Sequence, residues 1–346
     1  MASGTASEAR LNAAVPPLPT AGGRARRVAG HWLARRIGSA LLTLLGVAVL
    51  VFVVLRLIPG DQITASLGTA SGLLSPAGRH ALEAYYGLDQ SAPQQFVSWL
   101  GQVLTGNLGV SIRSGESVGA MTLRALPVTL ELALLASLIG SAGGMLLGML
   151  GASRPRGLRD AGGQLIGLVG LAIPGFVIAT ALVTILASRF QYFPNSLDYA
   201  TPLEDPWLNF QQMIFPALVL SLEFAAPVMR TTRSAMLEVA RRDFVRTARG
   251  KGVSERRVLL RHILHNALIP IVTIIGIQFG YLLGGAVIVE QIFALPGLGR
   301  QVVTGISQRD YAVVQSSVLV IAACFVLVNV LVDVLYSRLD PRVTLR

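Results

Sequence analysis

The sequence predicts an all-α membrane protein, a polytopic bundle of six transmembrane helices with both termini on the cytoplasmic side. Three observations carry this. Only 14% of the residues are charged, 53% are hydrophobic and the mean hydropathy is +0.62, whereas about a quarter of a soluble domain is charged. Apolar runs of about 20 residues, the length that crosses the hydrocarbon core, recur along the chain. Finally, 22 of the 29 Lys and Arg fall in alternate connections between those runs. A span in lipid must satisfy its backbone hydrogen bonds internally, so runs of this length read as helices.

Taken in order, residues 1–35 are expected to be a disordered cytoplasmic tail, because Met1–Gly23 is rich in Ala, Gly, Pro and Ser and cannot bury a core. No small-residue cleavage site follows the first apolar run, so a cleaved signal peptide is not expected. Residues 36–346 form one transmembrane domain with spans at Ile37–Leu55, Leu130–Gly151, Leu165–Ala187, Met213–Met229, Ile269–Val289 and Ala312–Tyr336. The fourth is the shortest and contains Glu223. Positive charge marks the cytoplasmic side. It gathers in the tail, in 152–164, in 230–268 and in 337–346. The segments 57–129, 188–212 and 290–311 are therefore external.

Two rows of glycine predict close helix packing. The second span carries Gly140, Gly144 and Gly148, and the fifth carries Gly276, Gly280 and Gly284. Four-residue spacing stacks small residues on one face and lets another backbone approach. The neighbour is either within the chain or on a partner.

Several chemistries are excluded. The net charge of +11 sits in loops beside spans, which points to a lipid bilayer and not to nucleic acid. The lone cysteine, Cys324, can form no intrachain disulfide. Gly250-Lys251 is followed by Gly252 and preceded five positions earlier by Val245, so it is no P-loop. His262 and His265 share a helix face, but the charges around them are arginines, and no metal site is expected. No catalytic residue is expected either. Glu223 and Asp333 are the ionisable residues read as lying in mid-membrane. Asp333 reads as a local pair with Arg338. Glu223 lines a polar cavity, sits near an interface, or pairs with a neighbouring helix.

The loop 230–268 is organised. Asp243 is placed to cap a short helix Phe244–Arg249. On it Phe244, Val245 and Ala248 form an apolar stripe, and Arg242, Arg246 and Arg249 another face. Gly250 and Gly252 suit its stop. Ser254 is placed to cap a third helix, with Glu255 at its positive end, and Leu259, Ile263, Ala267 and Leu268 on its apolar face. Attraction to anionic lipid, about 1 kcal/mol per charge, calls for neither the turns nor the stripe. A docking role fits them.

Here the chain resembles the permeases of ATP-binding-cassette importers. Arg246, Thr247, Ala248 and Gly252 correspond to the Glu-Ala-Ala-x3-Gly motif of the family's coupling loop, in the form found in its dipeptide/oligopeptide/nickel branch. LRLIPGD (55–61), YGLDQ (86–90), GNLGVSIRSGE (106–116), LPVTLELALL (126–135), HNALIP (265–270), EQIFALPGLG (290–299) and LDPRV (339–343) are similar to that branch, and most to its B-type subunit. The departures are the long tail, Gly250 in place of alanine and Ala312 in place of proline.

The resemblance implies a type I importer permease fold in the bacterial cytoplasmic membrane. It implies a second permease of the C-type, two cytoplasmic ATPase domains that hold ATP and Mg, and an extracytoplasmic substrate-binding protein; no cofactor is expected on this chain. The ATPase-coupling residues would be Asp243, Phe244, Val245, Arg246, Thr247, Ala248, Arg249, Lys251 and Gly252. Glu223 and Gln278 are candidates for the substrate path. Tyr86, Gly87, Asp89 and Asn107 are candidates for docking the binding protein. Di- or oligopeptides are the expected cargo, with nickel, glutathione or short oligosaccharides as branch alternatives. An ion-driven carrier and a lipid-bound scaffold are the rival readings.

Overall fold

The computed structural model describes residues 21–57, 63, 72, 74–85, 87–155, 157–193 and 198–339. They form α1 (Ala21–Leu57), α2 (Pro76–Tyr85), α3 (Ala92–Leu104), α4 (Val118–Ser153), α5 (Leu158–Ala172), α6 (Gly175–Phe190), α7 (Pro206–Ala240), α8 (Asp243–Gly250), α9 (Glu255–Ile292), α10 (Leu298–Gln308) and α11 (Tyr311–Leu339). Among the described residues the extended structure is one isolated bridge, Val110 to Ser117.

Among the described residues five helices are long and apolar enough to cross a bilayer: Ala34–Leu57 of α1, α4, α7, α9 and Tyr311–Val332 of α11. The third expected span is corrected to a broken one. Asp160–Gly170 and Gly175–Phe190 meet at 93°, so the chain has six spans only if this pair counts as one. The break lies at Ile173-Pro174. Ile173 is extended, with φ −96° and ψ 118°, as the residue before a proline prefers. Pro174 then opens α6 from a non-helical conformation.

Helix ends also differ from expectation. α1 already begins at Ala21, and residues 1–20 lie outside the described ones. α4 runs for 36 residues through Pro127, roughly 54 Å at 1.5 Å per residue, against a hydrocarbon core of about 30 Å. α7 has 35 residues, starting at Pro206 under Asp205, whose carboxylate accepts the amides of Trp207 (3.1 Å) and Leu208 (3.0 Å). Hydropathy marks the part of a helix that lies in lipid and misses the polar turns beyond it.

The first glycine row packs within the chain. α4 lies along α7, the most extensive helix pair of the molecule. A Cβ on Gly140 would stand 3.0 Å from the Ser221 carbonyl oxygen, on Gly144 2.6 Å from that of Ala225, and on Gly148 2.7 Å from that of Met229. At Gly144 and Gly148 real side chains essentially never come so close to backbone, and at Gly140 the neighbouring chain would have to give way. The second row faces α11, where a Cβ on Gly280 would meet Phe325 at 2.7 Å and one on Gly276 would meet Val332. Gly284 faces open space. Around the α4–α7 seam Leu132, Met213, Phe224, Leu282 and Val289 are buried as the main core.

Two buried acids tie distant segments together. Asp160, at the start of α5, is 2% exposed and receives Arg233 of α7 at 2.6 and 2.8 Å and Gln164 at 2.8 Å. Removing one partner of such a buried pair costs about 3–5 kcal/mol. Glu290 is fully buried. It accepts the Thr129 hydroxyl at 2.7 Å and the Arg300 amide at 3.1 Å, while Thr129 in turn accepts the Leu298 amide at 2.8 Å. One carboxylate thus binds α4 to the start of α10. A Cβ at Gly297 would collide with it, which explains a glycine in the Leu-Pro-Gly-Leu-Gly turn.

Candidate functional site

The basic loop is built from α8 and the helix ends flanking it. α7 continues beyond the apolar segment to Ala240, and a turn at Arg241-Arg242 leads into α8. Asp243 does not cap α8, contrary to expectation. The cap position is Arg242, and Asp243 is the first helical residue, with its side chain 97% exposed. An acid there still meets the positive end of the helix, and its oxygen lies 3.8 Å from Arg246.

The stop is a left-handed turn. Gly252 has φ +74°; the Gly252 amide donates to the Arg249 carbonyl (2.9 Å), and that of Val253 to the Ala248 carbonyl (3.2 Å). This pair of bonds satisfies the last orphan carbonyls and requires a glycine at its turning point. Gly250 is not needed for it, because it remains helical with negative φ.

The expected apolar stripe divides in two. Val245 is fully buried and Ala248 is 8% exposed. They pack on a small cluster of Met236, Val258, Ile263, Ala267 and Ile271. Phe244 is turned away and is 46% exposed. Residues one apart point 100° apart on a helix, so one short stripe cannot seat both Phe244 and Val245 in the same contact. Burying Val245 stabilises the seat by about 1.5–3 kcal/mol.

Ser254 stands at the expected cap position of α9, but its side chain makes no capping bond; its carbonyl accepts from Arg257 (2.9 Å) and Val258 (3.0 Å). α9 opens with a wide π-helical winding over Val258–Leu264. That winding brings Val258 and Ile263, five residues apart, to the same buried side.

The arginines are not a free row. Arg242 pairs with Glu238 at 2.9 Å, and Arg249 with Glu255 at 2.9 Å across the turn. Each exposed pair is worth at most about 1 kcal/mol. The solvent face of the loop is therefore an apolar ring, Phe244, among Asp243, Arg246, Thr247, Arg249 and Lys251, all exposed.

Glu223 has a partner. Its carboxylate accepts the Gly175 amide at 2.8 Å, the first free N–H of α6, and so stabilises the far side of the 93° bend. It lies on the surface of the single chain, next to Gly285 of α9. Gln278 is half-buried two turns away on α9. No hydrogen bond joins the two. The expected pair of Asp333 with Arg338 lies outside the described side chains.

Of the outer candidates, Tyr86 lies outside the described residues. Gly87 and Asn107 line one cavity of about 370 Å³ together with Arg56, Gln95, Trp99 and Gln315. Asp89 is exposed and is not part of its wall. Asn107 folds its own loop by accepting the Gly109 amide at 3.0 Å.

Sequence reasoning missed the Asp160–Arg233 pair, Glu290 and a cluster in the first half of α4. There the Tyr199 hydroxyl donates to Glu131 (2.6 Å) and accepts from Asn209 (3.1 Å). Burial first, then the bond to Glu131, pushes the Tyr199 hydroxyl above the ordinary tyrosine range. Glu131 and Glu290 stand inside recognisable motifs, which flags the positions but not their partners. Among the described residues no group of three His, Cys, Asp or Glu side chains is placed to hold a metal ion.

The sequence matches the family described as binding-protein-dependent transport system inner membrane component over residues 144–345. The N-terminal component of the same systems matches residues 30–133. The chain belongs to this permease family. It is 38% identical to a di/tripeptide transport system permease protein of Pseudomonas aeruginosa, covering 90% of this chain and 98% of that one. A peptide permease protein of Brucella ovis is 38% identical over 89% of this chain and 97% of its own length. One from Sinorhizobium fredii, named for peptide ABC transport, is 36% identical over 91% and 99%. The chain is thus a multi-pass membrane permease of an ABC transport system, and its all-helical architecture accords with that.

Proposed function

We propose that this chain is one of two permease subunits in an ATP-driven importer of di- or oligopeptides in the bacterial cytoplasmic membrane. The other permease is a C-type homologue. α8 seats in a cleft of a cytoplasmic ATPase that holds ATP and Mg, and a substrate-binding protein delivers cargo to the outer side. The peptide assignment rests on the names of the relatives. The observation that carries the coupling role is the division of the α8 stripe: Val245 and Ala248 bolt the helix to α7 and α9, while Phe244 is left exposed as the contact.

A ligand shifts an equilibrium only by its differential affinity for the two states. ATP on a separate chain therefore acts here only through a contact that does not yield. The buried seat, the Gly252 turn and the Arg249–Glu255 clamp supply that stiffness. Pulling on α8 displaces α7 and α9 directly, and through the glycine seam α4 as well. Glu223 and Gln278 belong to the path between the two permeases, with Glu223 also holding the bend of α6. Gly87 and Asn107 belong to the docking surface of the binding protein, with Tyr86 and Asp89 beside them.

Reconstitution tests the reading. Proteoliposomes with both permeases, the ATPases and the binding protein should take up dipeptide only with ATP inside and independently of an ionophore. Uptake by this chain alone, abolished by the ionophore, would instead establish the ion-driven carrier.

A further inference from the structure

The half-span α5 is held against α7 along its length, and the contact has a register. The two run antiparallel: Asp160 meets Arg233, Gly167 faces Met229, Gly170 faces the Leu222 carbonyl, and the Gly175 amide just past the bend donates to Glu223. Leu222, Ala226, Met229 and Arg233 recur at intervals of four, three and four residues, which places them on one face of α7. A Cβ on Gly170 would stand 3.3 Å from the Leu222 carbonyl oxygen, and one on Gly167 would collide with the Met229 methyl. Glycine lets the two helices approach here as it does between α4 and α7.

Polar grips close both ends of that contact. At one end the Arg233 fork donates to both oxygens of Asp160, at 2.6 and 2.8 Å. At the other, Glu223 accepts the first amide of α6 at 2.8 Å. Glu223 and Arg233 stand ten residues apart on α7, about 15 Å at 1.5 Å per residue. A bidentate arginine–carboxylate pair fixes direction and register as well as distance. Its net stability is often no greater than that of an apolar contact of the same volume, so stability alone does not call for it.

The Asp160 grip adjoins the seat of α8. Met236, one turn beyond Arg233, is fully buried in the cluster that receives Val245 and Ala248, and Met149 and Ala152 at the end of α4 pack on the same cluster. Between those two, Gly151 leaves room for the ion pair: a Cβ there would stand 3.1 Å from the Asp160 carboxylate and 3.4 Å from Arg233 Cδ. The pair is wedged between the end of α4, the start of α5 and the stretch of α7 that seats α8. Displacing α8 moves that stretch of α7 first.

We propose that Arg233 and Asp160 are positioning residues of the coupling path. They make α7 carry α5, and through Glu223 the start of α6, so that the stroke received by α8 reaches the far side of the 93° bend. With the pair cut, α7 slips along α5 and part of the stroke is lost before α6 moves. This rests on the reading of α8 as the ATPase contact.

The test uses the assembled importer in proteoliposomes, with dipeptide uptake and ATP hydrolysis measured on one preparation and normalised to assembled complex. Asp160→Asn and Arg233→Gln should each lower uptake per ATP hydrolysed several-fold, with ATPase association as in the unaltered complex. Arg233→Lys, which keeps an ion pair, should lose less. The doubly altered chain should lose no more than the worse single one, as residues acting as one unit do. A pair that only stabilises would lower the yield of complex and leave uptake per ATP unchanged; that result, or additive losses, overturns the proposal. If these variants fail to assemble, spin labels decide the matter on a chain that keeps the pair. With Cys324→Ala, labels at Ala161→Cys on α5 and Ser234→Cys on α7, both exposed positions, should give one distance distribution with and without trapped ATP, while Ser234→Cys changes its distance to a label on the second permease. A shift between the α5 and α7 labels means that α7 moves past α5 and overturns the proposal. An unaltered complex in which neither uptake nor the distance to the second permease responds to ATP overturns the coupling reading itself, and this inference with it.

Discussion

Two short helices, α2 in the stretch read as external and α8 in the stretch read as cytoplasmic, end in the same way and are held quite differently. α2 stops at Gly87 (φ +66°), where the Leu88 amide reaches back to Glu83 at 2.7 Å and that of Gly87 to Ala84 at 3.2 Å. α8 stops at Gly252 through the same pair of bonds. Yet α2 buries no residue, whereas α8 buries Val245 and Ala248. A left-handed stop fixes where a short helix ends; it does not fix the helix to the protein. Anchoring comes from apolar contact, and of the two only α8 has it. That is the difference between an element proposed to transmit force and one that borders a cavity.

Substitutions can break this contrast, and the largest effect is expected at the seat. Val245→Asp places an unpaired charge in a closed apolar cluster, a loss of more than about 4 kcal/mol. ATP-driven uptake in proteoliposomes should vanish and thermal unfolding of the complex should fall markedly. Ala81→Asp on exposed α2 should stay within about 0.5 kcal/mol by the same measurement. Equal effects would mean that α8 is not anchored.

Next comes the exposed ring. Phe244→Ala should weaken ATPase association by about 2 kcal/mol, as loss of an aromatic anchor does, measured by titrating ATPase onto the permeases. Stability of the permease pair itself should not change. Gly252→Val forces a β-branched residue into the left-handed region at about 1–2 kcal/mol. Space around Gly252 is open, so the complex should still insert while uptake per ATP hydrolysed drops severalfold. Normal coupling in that variant would count heavily against the rigid turn. Gly87→Val should act elsewhere, raising the binding-protein concentration needed for half-maximal stimulation. The smallest effect is at the clamp: Glu255→Gln removes an exposed ion pair and should cost at most about 1 kcal/mol, shrinking further at high salt in thermal unfolding.

The same contrast shows what was legible in the sequence. Most span positions followed from hydropathy, because lipid imposes it in one dimension. The glycine rows announced close packing, and only the structure could name α7 and α11 as the partners. The left-handed turn at Gly252 was legible because so few residues adopt it. The direction of Phe244 was not, since Phe244, Val245 and Ala248 are all apolar and only the shape of the α7–α9 seat decides which two enter it. Asp243 was misplaced by one residue, the distance that separates a cap from a first helical turn. The bend at Pro174 hid inside a run of sufficient hydropathy. Asp160, Glu290 and Arg56 take partners or walls far away in the chain, and no local pattern encodes those.

The claim that α8 is the seated contact is tested most directly by cross-linking. Thr247→Cys lies on the exposed face of α8 beside Phe244. In the assembled importer it should form a high-yield cross-link to a cysteine in the ATPase cleft, and the ATPase should shield it from a water-soluble maleimide. A thiol that stays fully reactive from the cytoplasmic side in the complete complex, or that reacts only from the outside, would contradict it.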